Sequence, residues 1–235
     1  LAGQAGVRYS FLNPSKYIDS NIAGFMNVVL AAKKHKVKKI IYASSSSVYG
    51  DNKTFPSNEK DELKQKNIYA VTKMLNEKIA EMYSKISNIK FIGLRFFTIY
   101  GEYGRPDMFL FKLFKASFTK ESFELNNYGN HMRDFTYVQD VNLIVERLIK
   151  INSSKNIIIN VCSNSPVNIL KIVKKFTDKI HVKVKYVKKH KADILKTHGN
   201  NSKIKRLVKY KKFYKFNEKL FFIYDWYKKN KIYKL

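Results

Sequence analysis

The sequence predicts an α/β chain, with short buried strands alternating with amphipathic helices around a parallel sheet. Three observations carry that expectation. Short continuous apolar runs, such as Lys39-Ile-Ile-Tyr-Ala-Ser44 and Asn156-Ile-Ile-Ile-Asn-Val-Cys162, have the length and composition of buried strands. The segments between them are longer and place apolar residues at helical spacing. At 235 residues and 45% hydrophobic, the chain can bury a sizeable core and hold one or two domains.

In order, residues 1–12 read as a strand end and a loop, in which Gly3 and Gly6 allow close backbone approach to a ligand. Residues 14–35 read as one helix. Pro14 suits its first turn, and Ile18, Ile22, Phe25, Met26, Val29 and Leu30 form an apolar stripe. The basic run 33–39 complements the dipole at a solvated helix end, with His35 on the surface. Residues 39–44 form a strand that runs into Ser45, Ser46 and Ser47. A polar loop follows over 51–66, then a helix over 68–86 with Leu75, Ile79, Met82 and Ile86 expected on its buried side. A strand at 89–97 ends in Arg95, Phe96 and Phe97. The rest reads as helix 107–118, strand 122–127, a turn at 128–130, helix 137–151, strand 156–162, helix 166–178 and strand 181–187. Two helices close a lysine-rich end.

Bulk properties narrow the function. A single cysteine, Cys162, excludes an internal disulfide and a cysteine-rich metal site, and reads as a core residue. No apolar run is long enough to span a membrane, so a cytoplasmic chain with no membrane partner is expected. Of the formal charge of +28, +19 falls in residues 151–235. No nucleic-acid motif accompanies it, and it reads as a lysine-biased composition whose field attracts anionic ligands. There are 6 arginines against 40 lysines, so each arginine suggests a position that needs the planar guanidinium fork.

The chemistry concentrates at Tyr42 to Gly50 and at Tyr69-Ala-Val-Thr-Lys73. The second segment puts a phenol and an ammonium at i and i+4 on one helix face. A phenol is a poor base near neutrality, and an adjacent cation favours the phenolate. A serine at a facing strand end can share the proton. This constellation suits removal of a proton from an alcohol while hydride leaves the same carbon. The pair alone is weak: roughly three such pairs are expected by chance. Four occur, Tyr49/Lys53, Tyr69/Lys73, Tyr224/Lys228 and Tyr227/Lys231, and only Tyr69/Lys73 follows a strand-end serine cluster.

These residues, with the segments 1–10, 94–101, 104–108 and 133–137, resemble the extended short-chain dehydrogenase/reductases, and most closely the UDP-glucuronate 4-epimerases. The resemblance implies the C-terminal part of a Rossmann-like parallel-sheet domain at 1–97, with 137–162 returning to it, and a smaller α/β substrate domain mainly at 98–235. It implies NAD as cofactor, a UDP-sugar as substrate and a homodimer built on two helices. It implies Ser45, Tyr69 and Lys73 as catalytic residues, with Ser46 the alternative to Ser45. Cofactor contacts would come from Leu1, Ala2, Gly3, Asn21, Tyr69, Lys73 and Phe97. Substrate contacts would come from Ser45, Ser46, Thr98, Arg105 and Arg133, Arg105 holding a uronate carboxylate and Arg133 the pyrophosphate.

The sequence also departs from the family. Asn200 stands where an aspartate is usual, and no G-x-x-G-x-x-G turn for the dinucleotide pyrophosphate is present. The chain therefore reads as truncated or as one piece of a split protein, with an open sheet edge and poor solubility expected. The absence of an acidic residue beside Ser45 disfavours elimination or decarboxylation. Three alternatives stay open: another UDP-hexose epimerase, a decarboxylase of the same superfamily, or an inactive remnant or UDP-sugar-binding module.

Overall fold

The computed structural model describes residues 3–151, 156–189 and 193–234. Two short helices, α1 (Tyr9–Leu12) and α2 (Pro14–Tyr17), lead through a π turn at Ile18–Ala23 into α3 (Gly24–Lys34). The sequence had suggested a loop through residue 12 and one continuous helix after it. The difference follows from anchoring. The Tyr17 hydroxyl donates to the Gly6 carbonyl at 2.5 Å, and buried Asn21 clamps the backbone of Gln4. The wider π turn, bonded i to i+5, shifts the phase of the helix. Ile18 is therefore left exposed, as is Leu30 farther along, while Val29 and Ala32 face inward and Phe25 packs on Tyr42.

A parallel sheet follows, in the order β1 (Lys39–Ser45), β2 (Lys90–Phe96), β6 (Ile157–Val161). Its register sets Ser44 opposite Arg95 and Ser45 opposite Phe96. Helix α4 (Ile68–Ile86) joins β1 to β2 and begins at Asn67, whose side chain accepts from the Ala70 amide at 2.8 Å. The expected buried face of α4 holds only in part: Leu75 and Ile79 are half-buried and Met82 and Ile86 exposed, whereas Tyr69, Thr72, Lys73, Asn76 and Glu77 are buried. The helix turns its polar face to the strand ends, where the Ala43 carbonyl takes Lys73 and where Ser44 and Arg95 donate to Glu77.

After β2 come β3 (Thr98–Tyr100), α5 (Phe109–Thr119), β4 (Phe123–Asn126), β5 (Met132–Tyr137) and α6 (Val138–Lys150). Past β6 lie β7 (Pro166–Asn168), α7 (Ile169–Thr177), β8 (Val184–Val187), α8 (Ser202–Leu207) and α9 (Phe216–Lys229). β3 pairs parallel with β5, β5 antiparallel with β7, and β4 parallel with β8. Neither β5 nor β7 was read from the sequence, and the helix expected from residue 166 begins only at Ile169. One core joins the first sheet to α6 and to residues of the α8 region, through Ile92, Leu94, Ile144, Leu148, Ile159 and Ile204. A second joins α5, α7 and α9 through Phe111, Phe114, Phe176, Leu220 and Tyr227. Lys39 ties the sheet to the end of α6, donating to the carbonyls of Leu148, Ile149 and Ile151. No helix among the described residues is long and apolar enough to cross a membrane.

Candidate active site

The site is built where β1 stops. Ser45 is the last strand residue, and its hydroxyl accepts from the Ser47 amide at 3.1 Å, opening a 3₁₀ turn at Ser46–Tyr49. Gly50 closes the turn with φ of 62°, and a Cβ there would lie 1.6 Å from the Lys64 carbonyl oxygen, so only glycine fits. The serines are thereby held at the C-terminal edge of the parallel sheet, where open α/β sheets bind ligands.

Helix α4 faces this edge. The Ser45 hydroxyl lies close enough to the Tyr69 phenol to favour its ionised form. Lys73 Nζ donates to the Ala43 carbonyl at 3.1 Å and lies 5.9 Å from the centre of the Tyr69 ring. One helical turn on, Glu77 accepts from Ser44 Oγ at 2.5 Å and takes a bidentate pair from Arg95, Nε at 2.9 Å and Nη2 at 2.7 Å. Arg95 also donates to the Tyr49 hydroxyl, which donates to Asn160 Oδ1 at 2.6 Å. The buried arginine thus uses its fork as the scarcity of arginine suggests.

Burial raises the Tyr69 pKa, against the opposing influence of the nearby Ser45 hydroxyl and the charge of Arg105. The sequence suggested that Lys73 would lower it. Here the ammonium is turned to the Ala43 carbonyl, and burial lowers its own pKa. Phenol and amine are each shifted toward the neutral form.

The remaining candidates fall into three groups. Gly3 and Asn21 lie against Lys73: a Cβ on Gly3 would sit 2.7 Å from Asn21 Oδ1 and 3.5 Å from Lys73 Nζ. Asn21 is fully engaged, accepting from the Gln4 amide at 2.7 Å and donating to the Gln4 carbonyl and to Thr72 Oγ1, each at 3.0 Å. Leu1 and Ala2 lie outside the described residues. Ser46 and Phe97 line one small cleft with Tyr49, Phe55 and Thr197. Phe97 is buried in a core with Val48, Tyr49 and Cys162, and Thr98 is half-buried opposite Phe135. Arg105 is exposed and forked onto its own neighbour Asp107, with both N–O distances 3.0 Å.

Arg133 belongs to a separate cluster. It donates to the carbonyls of Met132 at 2.9 Å and Leu195 at 3.3 Å, and burial pulls its pKa down to about 10. Asp193 lies beside it, paired with Arg8 at 3.0 Å. His131 completes the cluster; it is buried, and its Nε2 has no partner among the described residues. Sequence reasoning left Arg8, Asp193 and His131 unassigned, and Arg8 and Asp193 stand 185 positions apart.

Burial, and then the charge of Arg133, lower the His131 pKa to about 4. Its folded pKa lies below the unfolded value of about 6.5, so its contribution to stability is present above that value and is lost as pH falls toward 4. His131→Gln is therefore expected to flatten the fall in stability between those pH values, by on the order of 2 kcal/mol. Urea titrations of both proteins across the window measure this, and parallel curves would count against it.

A hydroxyl at the end of a parallel strand, facing a helix with tyrosine and lysine one turn apart, marks the class of short-chain dehydrogenase/reductase-like α/β proteins. Residues 1–162 match the profile of the NAD dependent epimerase/dehydratase family, and the chain belongs to that family. It is 41% identical over 235 residues to an uncharacterized protein of Methanocaldococcus jannaschii, covering 98% of this chain and 72% of that protein. It is 48% identical over 146 residues to UDP-glucuronate 4-epimerase 4 of Arabidopsis thaliana, covering 60% of this chain and 33% of that protein. A crystal structure of UDP-glucuronic acid 4-epimerase from Bacillus cereus, in complex with UDP-glucuronic acid and NAD, superposes with a TM-score of 0.90. The two are 27% identical, and the match covers 97% of this chain and 74% of that one.

Proposed function

We propose that the protein carrying this chain is an NAD-dependent epimerase that inverts C4 of UDP-glucuronate through a 4-keto sugar. The observation that carries the reading is the meeting of Ser45, Tyr69 and Lys73 at the sheet edge, with the charge of Arg105 felt at the phenol. The similarity to UDP-glucuronate 4-epimerases supports the choice of substrate.

The residues present fit the nicotinamide-ribose end of the cofactor. An ammonium has three donors, and Lys73 spends one on Ala43, leaving two beside Gly3. NAD, when bound beside Lys73 and Gly3, would supply the acceptor and donor of hydride at the sugar carbon. Tyr69 receives the C4 hydroxyl proton and gives it back. Ser45 holds the reacting oxygen and steadies the phenolate. Lys73 binds the ribose and adds positive charge as the phenol ionises. Arg133 anchors the diphosphate while the keto sugar turns between its two faces. Asn21 holds the Gly3–Gln4 backbone against the site. A second copy is the partner expected on the outer faces of α3 and α4, where Val28, Leu30, Met82 and Ile86 are exposed.

Arg105 is the residue that selects a uronate. Its fork is held by Asp107 and can transfer to a substrate carboxylate of the same shape. Arg105→Met is expected to raise KM for UDP-glucuronate about tenfold, with little effect on UDP-glucose, consistent with loss of one charge-assisted pair. Incubation of the whole protein with NAD and UDP-glucuronate, followed by chromatography of the sugar nucleotides, tests the function. Formation of UDP-galacturonate is expected; recovery of substrate alone, with UDP-glucose epimerised instead, would replace the reading with that of a neutral-hexose epimerase.

A further inference from the structure

Three consecutive residues at the end of β1 contact three residues spaced one turn apart on α4. The Ala43 carbonyl takes a hydrogen bond from Lys73, Ser44 donates to Glu77, and the Ser45 hydroxyl lies near the Tyr69 phenol. Two of these contacts involve residues already assigned to the chemistry. Ser44 and Glu77 touch neither substrate nor cofactor in the proposed mechanism, yet both are buried, at 2% and 7% exposure. Glu77 is fixed from behind by Arg95, whose strand position pairs directly with Ser44. Arg95 is itself fixed by Tyr49, which belongs to the turn that follows the serines. The contact with Glu77 therefore closes a loop of bonds through β1, α4, β2 and the 3₁₀ turn.

We infer that Ser44 and Glu77 are positioning residues: their hydrogen bond, backed by Arg95, sets the height of α4 against the end of β1 and so the reach between Ser45 and Tyr69. The inference rests on the reading that Tyr69 is the proton acceptor. Misplacement by a fraction of an ångström is enough to slow such chemistry while leaving binding intact. The groups around the phenol are Lys73 on its own helix, Ser45 on β1, Tyr17 on α2, whose ring centre lies 6.4 Å away, and Arg105 on the loop before α5. Among these, the contact most directly exposed to a change at Ser44 is that of its neighbour Ser45.

The test is Ser44→Ala in the whole protein, which removes one hydroxyl and leaves the Glu77–Arg95 pair in place. Three quantities are read: the melting temperature, kcat and KM for UDP-glucuronate, and ionisation of Tyr69. The last is followed as the ultraviolet difference between each protein and its Tyr69→Phe counterpart. The expected result is a nearly unchanged melting temperature and KM, a kcat lower by about tenfold, and a phenol that ionises at higher pH. Ser44→Thr, which keeps the hydroxyl, is expected to restore the ionisation. An unchanged Tyr69 titration in Ser44→Ala overturns the inference, as does an equal shift in Ser44→Thr. If neither protein epimerises UDP-glucuronate but the titration moves as expected, the proposed substrate fails and the positioning role stands.

Discussion

Tyr69→Phe is expected to lower turnover of the whole protein by about a thousandfold, within the range for loss of a general base, while UDP-sugar affinity changes little. The phenylalanine ring keeps the packing on Tyr17 and removes only the hydroxyl near Ser45. Because burial raises the phenol pKa, the free protein at neutral pH holds Tyr69 protonated. Turnover should therefore rise with pH as the phenolate becomes accessible, and the positive charge of Lys73 and of the bound cofactor should move that rise to lower pH. Single-turnover measurements with calorimetric determination of UDP-sugar binding separate the two effects. Retained turnover in Tyr69→Phe would assign the proton to another group. Tight binding together with lost turnover is the outcome that fits a phenol acting on the reacting oxygen.

The largest effect on stability is expected from Glu77→Leu. It leaves the Arg95 guanidinium buried at 3% exposure with its carboxylate partner gone. Breaking a buried pair from one side costs about 3–5 kcal/mol, which for a chain of this size lowers Tm by on the order of 10 °C. The double variant Glu77→Leu/Arg95→Met removes both charges and is expected to recover most of that loss, since an apolar pair of similar volume avoids the desolvation cost. Thermal melts of the two single variants and the double variant measure the coupling. Additive losses would mean that the pair contributes little beyond side-chain packing. Recovered stability without recovered turnover would place the pair's value in geometry.

Local patterns made much of the first sheet legible. The strand at 39–44, the helix at 68–86 and the strand at 156–162 each follow from continuous apolar runs and a helical period, and the structure bounds them at Lys39–Ser45, Ile68–Ile86 and Ile157–Val161. β5 escaped notice because its buried residues include Asp134 and Thr136, which break the expected alternation. Asp134 is tolerated there because Ser163 and the Gly199 amide bond its carboxylate, contacts made by two separate segments farther along the chain. The Tyr69/Lys73 pair was visible as a spacing, and its serine partner as a strand end. The orientation of α4 was not: an apolar stripe at 75, 79, 82 and 86 gave an inward face that holds only in part, because the polar face is satisfied by backbone and side chains of β1 and β2. The cluster of Arg8, His131, Arg133 and Asp193 had no local signature, since it joins three distant segments.

The π turn at Ile18–Ala23 makes the length of the opening segment matter to single-residue accuracy. Such a turn holds one residue more than an α-helical turn, and deleting that residue restores α geometry without breaking the helix. The deletion would nonetheless rotate everything before it by roughly 100° relative to α3. Tyr17 and Gly6 would turn together, but the Asn21 amide, inside the turn, would lose its hold on Gln4. A lineage could therefore lose this residue and keep a well-formed helix while dismantling the wall beside Lys73. Selection on the loop's placement, with no pressure on helix stability, would be enough to retain the insertion.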